Sequence, residues 1–389
     1  MLPPLPRGRI KAVPEDFVVD EIPAYEPQGT GDHLFVRFAK RNLTTDEAVH
    51  ALADAVGVAV RDIGVAGMKD KVALTTQTVS LPIPRGVDAF PERVLALTLP
   101  GITILSAIRH GHKLKTGHLE GNRFRIVIRD VEESREQEVI DALVRAGRVG
   151  IPNAFGSQRF GRDQDNAARA LGWLSGKERP PRDPRKKRFL WSALQSDLFN
   201  AVLAARVADG TWVVPQAGDI LKKTDTGGLF DCSDETVDRP RAERGEVSPT
   251  GPMFGVKMRT PTGKPAELER AVFEQRLGPG FDLAATRPFG EGTRRSLRVC
   301  IESMAVERVA APPAVAPTVE RLMNHLDDKR GEQGRALLVT FVLPKGAYAT
   351  SVLGMALAFE PTRTPNESTS PIEAPTPEEG EAATETEPE

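Results

Sequence analysis

The chain has 389 residues, 40% of them apolar, enough for two domains or for one domain carrying a large insertion. It holds no apolar run approaching the roughly 20 residues of a membrane-spanning helix, and its opening MLPPLPRGRIKAVPEDF lacks the apolar core of a secretory leader. The formal net charge of -2 conceals an acidic end: of 52 basic and 54 acidic residues, the segment from Pro361 takes Arg363 and eight Glu, leaving 51 against 46, a surplus of five cations.

Residues 17–22 alternate as a strand does, and DHLFVRFAKRN predicts a second strand with Leu34, Val36 and Phe38 on one face. TTDEAVHALADAVGV reads as an amphipathic helix, with Thr44 or Thr45 as cap and Ala48, Leu52 and Val56 at helical spacing. A short apolar stretch, DIGVAGM, leads through the turn KDK to the strand-like ALTTQTVSLPI. ITILSAIRHG and NRFRIVIRDV are two further strands, and REQEVIDALVRAGRVG is a helix ending in glycine. Strands joined by short or irregular links predict an α+β domain with a largely antiparallel sheet.

From about Ile151 the texture changes. NAARALGWLSG and FLWSALQSDLFNAVLAARVADG are helical patterns, and Asp219 to Ala266, rich in Gly, Pro and charge, reads as loops and short strands. After Glu302, VERVAAPPAVAPTVE returns to regular pattern, and ALLVTFVLPKGAYATSVLGMALAF reads as strand, turn and closing helix. The change and its late reversal predict a discontinuous domain, 1–150 with 304–360, interrupted by an inserted domain, 151–303. The segment 361–389, with Ile372 as its one large apolar residue, is expected to be a disordered acidic tail.

Cys232 and Cys300, the only cysteines, fit neither a disulfide framework nor a zinc site, and the six histidines include no HExxH pair. A reducing, cytoplasmic location without a metal centre is expected. The absent Cys/His cluster argues against a zinc-dependent base deaminase. A phosphate-loop reading of GVAGMKDK fails on spacing and on the missing Ser or Thr after the lysine. Two basic clusters remain: Arg109, His110, His112, Lys113 and Lys115, and then Arg182, Arg185, Lys186, Lys187 and Arg188 in a proline-broken stretch. Each is a solvated face or part of a track for phosphates.

Seven stretches, taken together and in this order, carry a more specific signal: KAVPEDFVVDEI, AGMKDKVALTTQ, RHGHKLKTGHLEGNRFRI, IPNAFGSQRFG, LWSALQSDLFN, SPTGPMFG and FVLPKGAYATSVL. The set resembles the TruD-type tRNA pseudouridine synthases over nearly the whole chain except the acidic tail. The resemblance implies an α+β fold in which a pseudouridine-synthase-like catalytic domain with a mixed antiparallel sheet is interrupted by an inserted α+β domain. It implies isomerisation of uridine to pseudouridine in tRNA, at position 13 of the D arm, without cofactor. The competing reading is a non-catalytic RNA-binding or RNA-folding protein on the same scaffold.

Matched residue by residue, the resemblance implies that Asp70 is the catalytic carboxylate, the nucleophile, where residue type alone favours a solvated turn. Lys69 and Lys71 would favour its ionised form if close in space. Phe17 and Phe341 match active-site aromatics on which a flipped-out base stacks, although a core position is the common fate of a strand phenylalanine. Asn122 offers a donor and an acceptor to the uracil edge, against the alternative of a turn residue, and Phe124 is pocket wall or core. Lys11 and Lys69 match basic positions that hold the nucleotide phosphate or orient Asp70. Arg109, Lys113, Lys115, Arg185, Lys186 and Lys187 are expected on the RNA backbone. Gln77 reads as a strand-end side chain, and Gln158 and Arg159 suit a backbone-contacting or hinge segment as well as a structural turn.

Overall fold

The computed structural model describes residues 3–161, 163–310 and 335–359. The strands in chain order are β1 (Phe17–Pro23), β2 (His33–Arg41), β3 (Gly64–Val65), β4 (Leu74–Pro82), β5 (Ile102–His110), β6 (Leu119–Arg129), β7 (Ile151–Pro152), β8 (Ile220–Lys223), β9 (Leu229–Asp231), β10 (Val247–Met253), β11 (Thr293–Ser296), β12 (Arg298–Val299), β13 (Glu302–Ala310) and β14 (Arg335–Pro344). The main sheet runs β13-β14-β6-β1-β4-β2-β5, with β3 added on β4. Its pairings are antiparallel except β1 with β4, so the fold is α+β with a mixed sheet.

Register decides which side chains share a face. Phe17, Val19 and Glu21 of β1 stand opposite Ile126, Phe124 and Asn122 of β6. Phe124 in turn stands opposite Phe341 of β14. On the other flank Val19 pairs with Thr75 of β4, and Lys40, Phe38 and Val36 of β2 pair with Thr75, Gln77 and Val79. Because side chains alternate with period two, these positions form one continuous face across five strands.

Helices cover that face. α1 (Thr45–Val56) begins at a capping box in which Thr44 accepts from the Glu47 amide and Glu47 returns a bond to the Thr44 amide. Gly57, at φ +74°, ends it in the left-handed conformation a glycine adopts without strain. α1 buries Ala48, Val49, Leu52 and Ala53 against Leu34, Val36, Phe38 and Val79, together with Phe90 and Val94 of α2 (Phe90–Leu95). α3 (Glu136–Val149) buries Val139, Leu143 and Ala146 against Phe17, Phe124, Ile126 and Phe341, joined by the short helix Ala349–Leu353. Between these two apolar clusters the face carries Thr75 and Gln77 of β4, both buried.

After α3 the chain leaves through β7 and comes back through β12, which pairs antiparallel with it, Ile151 opposite Val299. The residues in between form α4 (Asn166–Leu174), α5 (Pro184–Ala208), α6 (Glu235–Glu243), α7 (Gly263–Leu277) and a four-stranded sheet β11-β10-β8-β9. Trp191, Leu194, Leu198 and Val202 of α5 carry their core.

Two expectations change here. Arg185, Lys186 and Lys187 lie in the first turn of α5, not in a broken stretch before it, because Pro184 is the first helical residue and Asp183 caps the end through the Arg185 amide. Asp219–Ala266 contains α6 as well as short strands. That helix buries only Asp238 and Ala242, so it has no apolar stripe for a periodicity reading to find. Most of VERVAAPPAVAPTVE and the acidic tail fall outside the described residues.

Candidate active site

The turn KDK is held at each of its residues. The Lys69 amide donates to Thr45 Oγ1 at 2.9 Å, and that hydroxyl donates to Gln77 Oε1 at 2.9 Å. The Lys69 ammonium donates to Glu21 Oε2 at 2.6 Å, with the two side chains only 4% and 1% exposed. Glu21 Oε1 accepts from the Thr78 amide at 2.9 Å, which ties the pair to β4. The Asp70 carbonyl accepts from the Lys40 ammonium at 2.8 Å. The Lys71 ammonium reaches Glu47 Oε1 at 2.8 Å. The backbone is thereby fixed while the Asp70 side chain stays 55% exposed.

The cation at the Asp70 carboxylate is Lys11, whose Nζ lies 2.9 Å from Oδ2. Of the lysines read as able to attend Asp70, Lys11 is therefore the one at its carboxylate, and Lys69 and Lys71 are not. Their ammonium groups are committed to Glu21 and Glu47, carboxylates 48 and 24 residues away in sequence. Lys11 is brought in by the segment before β1. Arg9 exchanges backbone bonds with Arg129 at the end of β6, and the Arg129 guanidinium holds the buried Asp16 at 2.8 and 2.7 Å. Lys11 itself has φ +56°, a strained value for a residue with a side chain.

The three aromatic residues form a connected wall. Phe124 stacks on Phe341 with ring centroids 5.2 Å apart and meets Phe17 edge-on at 6.1 Å. All three are buried. The Lys11 ammonium sits 4.2 Å from the centre of the Phe17 ring, so one cation serves both the ring and the carboxylate. Along the same face three polar atoms are buried without a partner: Thr75 Oγ1, Gln77 Nε2 and Asn122 Oδ1. Each such atom costs about 1–3 kcal/mol when left unpaired. All three lie on the sheet face that carries the aromatic wall.

The first basic cluster flanks this region. The loop after β5 docks on the Asp70 loop, the Gly117 amide donating to Ala66 O at 2.8 Å and the Leu114 amide to Ser80 Oγ at 2.9 Å. Lys115 is exposed, and Lys113 donates to Arg61 O at 2.8 Å. Arg109 is half-buried on the edge strand β5 with its Nε unpartnered. His110 adds no charge to the cluster at neutral pH. It is buried, and burial, then His112 and His33, push its pKa below the ordinary histidine value. Arg185 and Lys186 are exposed on α5, with Lys187 half-buried. Arg159 donates to Ser196 Oγ at 3.3 Å and burial lowers its pKa, while the Gln158 side chain lies outside the described residues.

Sequence reasoning missed Glu21 and Lys40, although the signal was present. Leu34, Val36 and Phe38 alternate on the buried face, and the next position in that alternation is Lys40. Phe17 and Val19 lead to Glu21 in the same way. Extending each apolar alternation to its first polar member finds the buried polar residues of the site.

Among the described residues no helix is long and apolar enough to cross a membrane. The family model described as tRNA pseudouridine synthase D (TruD) matches residues 5–171 and 183–354. A tRNA pseudouridine synthase D of Anaeromyxobacter dehalogenans strain 2CP-1 is 42% identical over 351 residues, 89% of this chain and 91% of its own. The protein of that name from Thermus thermophilus is 39% identical over 357 residues, 91% and 89% of the two chains. A crystal structure described as TruD from Methanosarcina mazei superposes with a TM-score of 0.68 at 23% identity, covering 90% of this chain and 93% of that one, a likeness of fold. On the family match and these identities, the chain belongs to the tRNA pseudouridine synthase D family.

Proposed function

We propose that this protein converts uridine to pseudouridine at position 13 in the D arm of tRNA, with Asp70 as the catalytic carboxylate. It is an isomerase of the TruD family, and tRNA is its substrate. The observation that carries the reading of Asp70 is its setting: an exposed carboxylate on an immobilised backbone, paired with one ammonium that also covers an aromatic ring. Asp70 acts as nucleophile toward the flipped-out nucleotide. An Asp70 oxygen bonds to the nucleotide and the bond from N1 to the ribose breaks; the uracil turns, the ribose rejoins at C5, and the bond to Asp70 breaks. C5 gives up its proton and N1 gains one, and Asp70 is regenerated.

Asn122 Oδ1, a buried acceptor without a donor, suits the N–H of a uracil edge. Stacking of the base on Phe17 requires Lys11 to leave the ring face, which frees its ammonium for a phosphate. The division into a catalytic unit, 1–150 with 304–360, and an inserted unit, 151–303, is part of this proposal, supported by the pairing of β7 with β12 and by β13 and β14 on the main sheet.

The test is incubation with an unmodified tRNA transcript and mapping of pseudouridine by carbodiimide-based sequencing. The wild-type protein is expected to modify position 13 and Asp70→Asn to leave it unmodified while binding tRNA within about threefold of wild type. Conversion by the Asn variant would remove Asp70 from the chemistry. Modification only at another nucleotide would remove the D-arm assignment.

A further inference from the structure

Lys40 is fully buried. Its ammonium donates to two backbone carbonyls, Leu43 O at 2.5 Å and Asp70 O at 2.8 Å, and among the described residues it forms no ion pair with a carboxylate. A buried lysine without a counter-ion is costly, and a methionine of similar length would fill the same space without burying a charge. The two carbonyls belong to different segments, the link from β2 into α1 and the loop that carries Asp70. Each accepts a charge-assisted hydrogen bond, about twice the strength of a neutral one.

We infer that Lys40 is a positioning residue for the isomerisation: its ammonium ties the Asp70 carbonyl to the end of β2 and so fixes where the Asp70 carboxylate meets the target nucleotide. This rests on the assignment of Asp70 above. Lys69 reaches Glu21 and Lys71 reaches Glu47, so each holds the turn beside Asp70. Lys40 alone of the three binds the backbone of Asp70 itself. The protonation of Lys40 is finely balanced. Burial, helped by Lys69, lowers its pKa to about 8 against the opposing pull of Asp70 and Glu47. Loss of the proton leaves two N–H groups on a neutral amine, which weakens both bonds and removes a positive charge from beside Asp70.

The experiment compares single-turnover pseudouridine formation by the full chain, Lys40→Met and Asp70→Asn on the same tRNA transcript, with tRNA affinity measured for each. Lys40→Met is expected to lose about a hundredfold in rate, the cost of a misplaced reacting group, with tRNA affinity changed less than about twofold. A Lys40→Met rate within about threefold of wild type overturns the inference. The wild-type protein supplies a second reading that needs no variant to fold. Its rate is expected to fall above pH 8 while its thermal midpoint holds or rises, since a lysine whose folded pKa is depressed to about 8 favours the folded state as pH climbs toward 10.5. A rate unchanged to about pH 9.5 also overturns the inference. Activity in Asp70→Asn would instead strike the underlying assignment, so the two failures are distinguishable.

Discussion

Glu21 and Lys69 form an ion pair of 2.6 Å that is almost completely shielded from water, one end on β1 and the other in the turn that presents Asp70. The carboxylate is fully used, since its second oxygen takes the Thr78 amide. Removing one partner leaves the other charge buried, which typically costs about 3–5 kcal/mol, whereas replacing both with apolar groups of similar volume is often neutral. Glu21→Gln or Lys69→Met is therefore expected to destabilise strongly in urea denaturation, and Glu21→Leu with Lys69→Met to recover much of the loss. Both single variants and the double variant should lose activity, because the turn then lacks its anchor. A single variant as stable as wild type would show that the pair is not needed by the fold.

Asn122 separates binding from stability. Its Oδ1 is buried without a donor, so the free protein gains nothing from that atom. Asn122→Leu is expected to leave stability within about 1 kcal/mol of wild type, because it removes an unsatisfied acceptor. If the uracil supplies the missing donor, kcat/KM should fall at least about tenfold, the worth of one hydrogen bond. Kinetics on a tRNA transcript beside thermal melts measure both. An unchanged kcat/KM would return Asn122 to the ordinary strand positions.

The sheet was largely legible because its strands alternate and α1 carries both its cap and its glycine stop. The parallel pairing of β1 with β4 was not, since strand order depends on contacts between segments about 55 residues apart, and no local pattern encodes them. The site divides in the same way. Asp70 is proposed from its motif. Its lysine partner was left open among Lys11, Lys69 and Lys71, and no local pattern shows that Lys11, 59 residues away, is the one that arrives, through the Asp16–Arg129 clamp. Buried Lys40 and Glu21 were overlooked because a charged residue at the end of an apolar strand reads as an exit to solvent. The alternation placed both inside.

Glu47 gives a pH dependence with a definite sign. Its side chain takes the Lys71 ammonium first and the Thr44 amide second, and its pKa falls from 4.5 to about 2. A carboxylate with a depressed folded pKa stabilises the fold above its unfolded value, and the contribution is lost as pH falls from about 4.5 through about 2. The group is 44% exposed, so screening keeps the effect below about 1 kcal/mol. Glu47→Gln should be slightly less stable than wild type at pH 7 and converge on it as pH falls below about 2. A difference that persists at the acid end would mean that packing of the side chain, rather than its charge, holds the turn.

The cations at the start of α5 make stability and binding move apart. Arg185, Lys186 and Lys187 occupy the first turn, where the capping Asp183 is the one acidic residue against three cations, and the positive end of the helix dipole repels them. Nothing in helix energetics favours three cations there, whereas an RNA backbone would. Replacing all three with Gln should hold or slightly raise the melting temperature. It should weaken tRNA binding and reduce the slope of log affinity against log salt by up to about 0.7–0.9 per phosphate contact removed. Titrations at three salt concentrations with an unmodified transcript measure the slope. If slope and affinity match wild type, this cluster is solvated surface, and the RNA track runs instead past Arg109 on β5 and past Lys113 and Lys115, whose loop packs directly against the segment carrying Asp70.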